Sequence, residues 1–108
     1  MARGDCAALL ASTGLPVVYW KWPDGSTPAY PCIRYASDGC RAFRADDGNY
    51  VKADVWSATI VSEWKDDASE SSLERVLDEA GVAYSKMPDY YADAERLNHV
   101  EYTFELPR

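Results

Sequence analysis

The sequence predicts an α+β domain in which an antiparallel β-sheet is packed on one face by an N-terminal helix and a central helix. Three observations predict this fold class. The 108 residues are 47% hydrophobic and 27% charged, which fits one globular domain spanning 1–108. Several runs alternate apolar and polar residues, as half-buried strands do. Two other runs place apolar residues at helical spacing.

The N-terminal half is predicted to contain one helix and four strands. Residues 2–12 carry Ala, Leu and Cys at helical spacing, and Gly14 ends this helix. β-Branched and aromatic runs, separated by Pro- and Gly-rich signals, predict the strands. These strands are 16–22, 30–36, 40–45 and 50–64, with a loop at 23–31, a turn at Ser37-Asp38-Gly39 and a hairpin tip at 46–49.

In the longest strand, 50–64, the apolar alternation predicts which face is buried. We expect Trp56, Ala58 and Ile60 to face the core. The opposite face is only half polar, so we expect it to be partly covered. Its members are Val55, Ser57, Thr59 and Val61.

The C-terminal half is predicted to contain one helix and two strands. Residues 66–80 begin with acids and Ser69, which suit a helix N-terminus, and Gly81 ends the helix. The apolar stripe of this helix is Leu73, Val76, Leu77 and Ala80. Residues 82–90 are predicted to be extended, 91–95 a loop and 96–106 the last strand. On that strand we expect Val100, Tyr102, Phe104 and Leu106 to be buried and His99, Glu101, Thr103 and Glu105 to be exposed.

The net charge of −7 and the pI of about 4.5 argue against nucleic-acid binding. Such binding normally needs clustered Lys and Arg to displace counterions from phosphates. The apolar runs are far shorter than the roughly 18 residues of a membrane span. The apolar patch near the N-terminus is too short for a signal peptide, so we expect a mature N-terminus made in the cytoplasm.

The sequence offers few residues for catalysis or metal binding. The three cysteines, Cys6, Cys32 and Cys40, lack CxxC spacing, and we expect reduced thiols, two of them buried. His99 is expected to be a surface histidine. The pairs Asp46-Asp47 and Asp66-Asp67 fall at a predicted turn and helix start and do not match an EF-hand. We therefore predict no enzyme activity, no metal and no cofactor.

The stretch GLPVVYWKWPDG, residues 14–25, places three aromatic rings and one lysine within four positions. As a strand it puts Tyr19 and Lys21 on one face and Trp20 and Trp22 on the other. Trp20 is expected to be in the core, because burying an indole yields a large apolar gain. Trp22, beside the turn, is expected to be partly exposed, which suits a protein interface. Sugar binding remains an alternative.

The order of motifs along the chain resembles the small tail terminator (tail completion) proteins of long-tailed bacteriophages, particularly those from Gram-positive hosts. The resemblance covers essentially residues 5–106. Its most specific part is a strand ending in E-W-K-D, an acidic helix, V-x-Y-x-K, and a final V-x-Y-x-F-E-L. The motifs are, in order, STGLPVVY, YPCIRYAS, YVKADVWSATIVSEWKDD, ESSLERVLDEAGVAYSK and LNHVEYTFEL.

The resemblance implies a structural protein of the virion at the head–tail junction, assembled in the host cytoplasm. Such proteins form a ring, usually of six copies, on the head-proximal end of the tail tube. They stop tube growth and present a surface to the head-completion protein. DNA later passes through the ring without specific binding. The implied partners are therefore the chain itself, the tail-tube protein and the head-completion protein.

We expect two segments to carry the contacts of such a ring, the hairpin at 38–52 and the aromatic loop at 19–30. Positive charge at Arg41, Arg44 and Lys52 stands out in an acidic chain and suits acids on a neighbouring subunit or on the tail tube. The candidate interface residues are Tyr19, Lys21, Trp22, Tyr30, Arg41, Arg44, Asp46, Asp47 and Lys52. The alternatives are a carbohydrate-binding module using Trp20, Trp22 and Tyr30, or a head-side completion adaptor.

Overall fold

A computed structural model describes residues 3–19, 30–44, 50–94 and 96–107. The described elements are one helix, three strands, a second helix and three further strands. They are α1 (Arg3–Ala11), β1 (Val17–Tyr19), β2 (Cys32–Arg44), β3 (Tyr50–Ser62), α2 (Asp67–Glu79), β4 (Tyr84–Lys86), β5 (Tyr90–Ala92) and β6 (Leu97–Pro107). The predicted order, with four strands before the central helix and two after it, is wrong by one strand on each side.

The six strands form one sheet, so the α+β fold class is confirmed. The strand order is β1-β2-β3-β6-β4, and β5 also pairs with β6. All pairs are antiparallel except β1 with β2, which is parallel. The sheet is therefore mostly antiparallel, with a short parallel strand at one edge. That both helices cover one face of it stays a prediction.

The predicted turn at Ser37-Asp38-Gly39 is wrong, because β2 continues through it. The register with β3 shifts between Ser37 and Gly39, which marks a β-bulge. Gly39 has φ +120°, a value that residues other than glycine rarely adopt. A β-bulge and a turn both favour residues, such as glycine, that tolerate unusual backbone angles. The same residues in a sequence therefore predict either one.

The long hairpin of β2 and β3 extends beyond the rest of the sheet. β3 pairs with β6 only from Ser62 to Ala53, which lies opposite Pro107. Beyond that point β2 and β3 pair only with each other, ending at Arg44 opposite Tyr50. We call residues 41–44 and 50–52 the hairpin arm; Arg41 pairs with Ala53, and the other six pair with each other.

The buried core cluster contains residues of the strands and of both helices. The predicted core faces of β3 and β6 are confirmed, because Trp56 lies opposite Phe104 and Ala58 opposite Tyr102, all four buried. The opposite face of β3 is partly covered, as predicted, with Thr59 and Val61 buried. The buried cluster comprises Cys6, Leu10, Ile33, Tyr35, Trp56, Ala58, Ile60, Leu73, Leu77, Val100, Tyr102, Phe104 and Leu106.

The central helix begins and ends close to the predicted residues. The Asp66 carboxylate accepts a hydrogen bond from the Ser69 backbone N–H at 3.1 Å, which caps α2. Leu73, Val76 and Leu77 are buried as predicted. Ala80, the predicted fourth member of the stripe, is exposed, because the helix has already ended at Glu79.

Two of the three cysteines are described, and both are buried and outside any disulfide, as predicted: Cys6 and Cys32. Burial raises the pKa of the Cys6 thiol to about 12, since the thiolate would lose its hydration. Cys6 is therefore a neutral, apolar core residue near neutral pH. The side chain of Cys40 lies outside the described residues.

The outer edge beside β6 consists of two three-residue strands. β4 pairs Tyr84 with Phe104, whereas β5 pairs Tyr90 with His99, a register shifted by one residue. Residues 87–89 separate them, and the Met87 N–H donates to the Glu101 carbonyl at 2.9 Å. The predicted loop at 91–95 is therefore partly wrong, because β5 includes Tyr91 and Ala92.

Candidate functional site

Exposed apolar side chains gather at one end of the sheet. We call this surface the aromatic end and define it by Tyr30, Trp64, Met87, Tyr90 and Tyr91. Trp64 is 70% exposed and Tyr90 57% exposed, and these five are the large apolar side chains exposed in the described part of the chain. Exposed apolar residues that lie together mark interaction surfaces more often than singly scattered ones.

The contacts around Trp64 bring Tyr30, Trp64 and the start of β5 together. Tyr30 and Trp64 line one small cleft of about 150 Å³ with Pro31, Ser62, Glu63 and Asp66. The next residue, Lys65, forms an ion pair with Asp89 at 3.4 Å, and Asp89 immediately precedes Tyr90. The loop after β3 and the start of β5 are therefore held side by side.

The prediction that His99 is a surface histidine is wrong. His99 is 4% exposed, although it lies on the face of β6 predicted to be polar. The Tyr90 ring stacks on its imidazole, with centroids 4.9 Å apart and planes 10° from parallel. Tyr90 is thus both an exposed member of the aromatic end and the cover of a buried ring.

A buried carboxylate anchors the aromatic end to the central helix. Glu70, in the first turn of α2, is 3% exposed. The Lys86 Nζ lies 2.6 Å from one of its oxygens, and the Lys65 Nζ lies 3.0 Å from the other. The hydrogen bond to Glu70 raises the pKa of both lysines above the usual range. The network thereby ties the Trp64 loop and the edge strand β4 to one helix.

A second carboxylate of α2 binds two tyrosines of the sheet. The Tyr102 hydroxyl donates to one oxygen of Glu74 at 2.7 Å, and the Tyr84 hydroxyl donates to the other at 3.3 Å. The bond from Tyr102 is the main reason why the pKa of Glu74 lies below its ordinary value of 4.5. Burial, followed by the hydrogen bond to Glu74, raises the pKa of Tyr102. Glu74 is therefore ionised near neutral pH.

We expect Tyr102→Phe to lower the free energy of unfolding by about 1.5–2 kcal/mol at pH 7, because a hydrogen bond to a charged group is lost. The folded-state pKa of Glu74 is lowered, so its contribution is present above pH 4.5 and is lost as the pH falls through the folded value. The difference between the two proteins should therefore shrink below pH 4.5. Urea unfolding from pH 3 to pH 7 measures it.

Tyr84→Phe is the matched control for this prediction. It removes a longer bond to the same carboxylate, 3.3 Å against 2.7 Å, so its effect should be smaller at every pH. Equal losses from the two variants, or a Tyr102→Phe loss that does not change with pH, would contradict the assignment.

The structure separates the predicted interface residues. Tyr19 ends β1 half-buried, with its ring packed edge-on against Tyr35 at 5.2 Å. Tyr30 lies at the aromatic end. Arg41, Arg44 and Lys52 lie in the hairpin arm, where Arg44 is opposite Tyr50 and Lys52 opposite Ala42. Lys21, Trp22, Asp46 and Asp47, and also Trp20, lie outside the described residues.

Sequence reasoning missed most of the aromatic end. Trp64 was included in a strand, yet β3 ends at Ser62. Met87, Tyr90 and Tyr91 fall in a region predicted only as extended or looped. These exposed residues could have been predicted from one pattern in the sequence. In E-W-K-D-D and M-P-D-Y-Y a large apolar side chain lies beside a turn and outside any strand or helix alternation.

Within the described ranges, no group of three or more His, Cys, Asp or Glu side chains is placed to hold a metal ion. A larger cleft of about 620 Å³ lies between the end of α2 and β6, lined by Val55, residues 80–85 and residues 103–106. Its lining carries one carboxylate, that of Glu105.

No helix in the described part of the chain is long and apolar enough to cross a membrane. In comparisons with known proteins, no family model matches the chain and no curated protein matches it. The resemblance to tail terminators therefore depends on the order of the motifs quoted above.

Proposed function

We propose that the chain is a structural subunit of the tail of a long-tailed bacteriophage, related to the tail terminators that it resembles. Copies assemble into a ring, of six subunits in that family, at the head-proximal end of the tail tube. The ring ends tail growth and provides the surface on which the head joins. The proposed site of action is the virion, after assembly in the host cytoplasm.

One structural observation supports this proposal most strongly: the aromatic end. It combines exposed Trp64 and Tyr90 with a firm attachment to the body through Lys65, Glu70 and Asp89. Aromatic residues on a rigid base are typical of protein interfaces, where they carry most of the binding energy. The surface fits a protein that acts by binding other proteins, without catalysis or a cofactor.

The proposed partners are other copies of the chain, the tail-tube protein and the head-completion protein. The net charge of −7 supports a passage through which DNA moves without specific binding. Acidic side chains repel the phosphate backbone, so transit is not slowed by adhesion.

The decisive experiment is electron microscopy of particles from a phage whose gene for this chain carries a stop codon. We expect tails of varied, excessive length beside unjoined, DNA-filled heads. A plasmid copy of the gene is the control and should restore joined particles. Unjoined tails of normal length would instead assign the chain to the head-side adaptor. Intact virions that fail only to attach would support sugar binding.

A further inference from the structure

A small cleft at the aromatic end combines two exposed aromatic rings with two carboxylates. The residues that line it are Tyr30, Pro31, Ser62, Glu63, Trp64 and Asp66. Tyr30 precedes β2 and Trp64 follows β3, and these strands are antiparallel neighbours with Cys32 opposite Val61. The strand register therefore brings both rings beyond the same end of the sheet.

The segment that carries Trp64 is held in place by contacts on both sides. Ser62 is 4% exposed, and its hydroxyl donates a hydrogen bond to the Trp64 carbonyl. The Lys65 Nζ pairs with Glu70 at 3.0 Å and with Asp89 at 3.4 Å. The backbone that carries the exposed indole is therefore fixed before a ligand binds, which lowers the entropy cost of binding.

The two carboxylates give the cleft a negative charge. Glu63 is exposed and Asp66 is half-buried. Asp66 accepts from the Ser69 N–H through Oδ1, so its Oδ2 can accept from a ligand. Within the described ranges neither carboxylate forms an ion pair, and the neighbouring cation Lys65 is already paired elsewhere. The cleft therefore attracts a cation.

Size and chemistry together favour the side chain of an arginine. The volume of the cleft, about 150 Å³, is roughly the liquid volume of five water molecules at ~30 Å³ each. Pockets that enclose a drug-sized ligand are larger, roughly 300–1,000 Å³, so this cleft suits one side chain. A guanidinium is planar, so it can lie on an aromatic ring and donate to carboxylates at the same time. The compact ammonium of lysine does this less well.

We propose that this cleft binds an arginine side chain of a partner protein. Tyr30 and Trp64 supply the aromatic rings, and Glu63 and Asp66 accept hydrogen bonds from the guanidinium. A neutral saccharide also stacks on aromatic rings, but it brings no positive charge to the two carboxylates. The inference goes beyond the proposed function, because the cleft lies within one copy of the chain and needs no ring.

A nuclear magnetic resonance titration of the full chain with three short peptides tests the proposal. The first peptide has an arginine between two alanines and is blocked at both ends. The second has lysine, and the third has citrulline, an uncharged analogue of arginine with the same shape. With the arginine peptide we expect saturable shifts of the Trp64 indole N–H and of the backbone N–H groups of residues 62–66. The Kd should be on the order of 1 mM. Lysine should bind about 3-fold more weakly, and citrulline at least about 10-fold more weakly.

Two variants each remove one half of the cleft. Trp64→Leu keeps an apolar side chain without an aromatic ring and should weaken binding about 5-fold. Glu63→Gln/Asp66→Asn removes both charges and retains a residue that caps α2, and it should weaken binding about 10-fold. The control is Asp78→Asn/Glu79→Gln, which removes two exposed acids at the other end of α2 and should bind like the wild-type chain.

Several outcomes would overturn the inference. Equal binding of the arginine and citrulline peptides would do so, as would wild-type affinity in either cleft variant. So would the absence of saturable shifts up to about 20 mM peptide. If the same N–H groups shift instead with a trisaccharide of N-acetylglucosamine, the cleft binds carbohydrate. The stop-codon experiment tests the proposed function separately, so the failure of one proposal leaves the other intact.

Discussion

Replacing Phe104 with alanine is expected to lower the free energy of unfolding by about 4 kcal/mol, the largest single loss that we predict. Phe104 is 2% exposed and lies between its cross-strand neighbours Trp56 and Tyr84. The truncation removes most of an aromatic side chain and leaves a cavity that a sheet interior cannot close. The corresponding fall in Tm is roughly 15–20 °C for a domain of this length.

Urea unfolding followed by circular dichroism measures this loss. Glu101→Ala is the matched control, since Glu101 is exposed on the same strand and should change stability by less than about 0.5 kcal/mol. A Phe104→Ala variant that loses under about 2 kcal/mol would contradict the packing described for this face.

Replacing Lys86 with methionine is expected to lower the free energy of unfolding by about 2 kcal/mol at pH 7. The substitution leaves the buried Glu70 carboxylate with Lys65 as its remaining cation, and a buried charge that loses a partner is costly. The loss is smaller than for a fully buried pair, because the Lys86 side chain is 39% exposed and water replaces part of the contact.

The double variant Glu70→Leu/Lys86→Met supplies the control. It removes the buried charge together with its partner, so it should lose less stability than Lys86→Met alone. The pKa of Lys86 is raised in the folded protein, chiefly by its hydrogen bond to Glu70. Its contribution is therefore complete below pH 10.5 and is lost as the pH rises through the folded value. A double variant worse than the single one would refute this account.

Regular alternation and helix signals predicted most of the architecture. The core faces of β3 and β6 were predictable from apolar residues such as Trp56 and Tyr102. A shift of the strand register by one residue would expose all the apolar side chains of that face to water. The cap at Asp66 and the stripe around Leu73 follow equally from local chemistry. These features depend on residues that are close together in the sequence, so one sequence is enough to predict them.

The errors arose where contacts distant in sequence decide the outcome. His99 is buried because Tyr90 covers it. The two residues meet through the pairing of β5 with β6, and the three residues of β5 show no alternation of apolar and polar side chains from which this pairing could be predicted. Glu70 suits an exposed helix start by its position, yet Lys86 from another element allows its burial. The bulge at Gly39 was predicted as a turn because both need the same backbone freedom.

The interrupted edge formed by β4 and β5 has a consequence for solubility. A cross-β fibril grows when a long, regular strand edge recruits the same segment of another molecule. This edge offers three paired residues, a break at 87–89 and a shifted register, and Lys86 places a charge on it. An incoming strand would lose its register after one short stretch. This edge is therefore a poor template for the growth of a cross-β fibril.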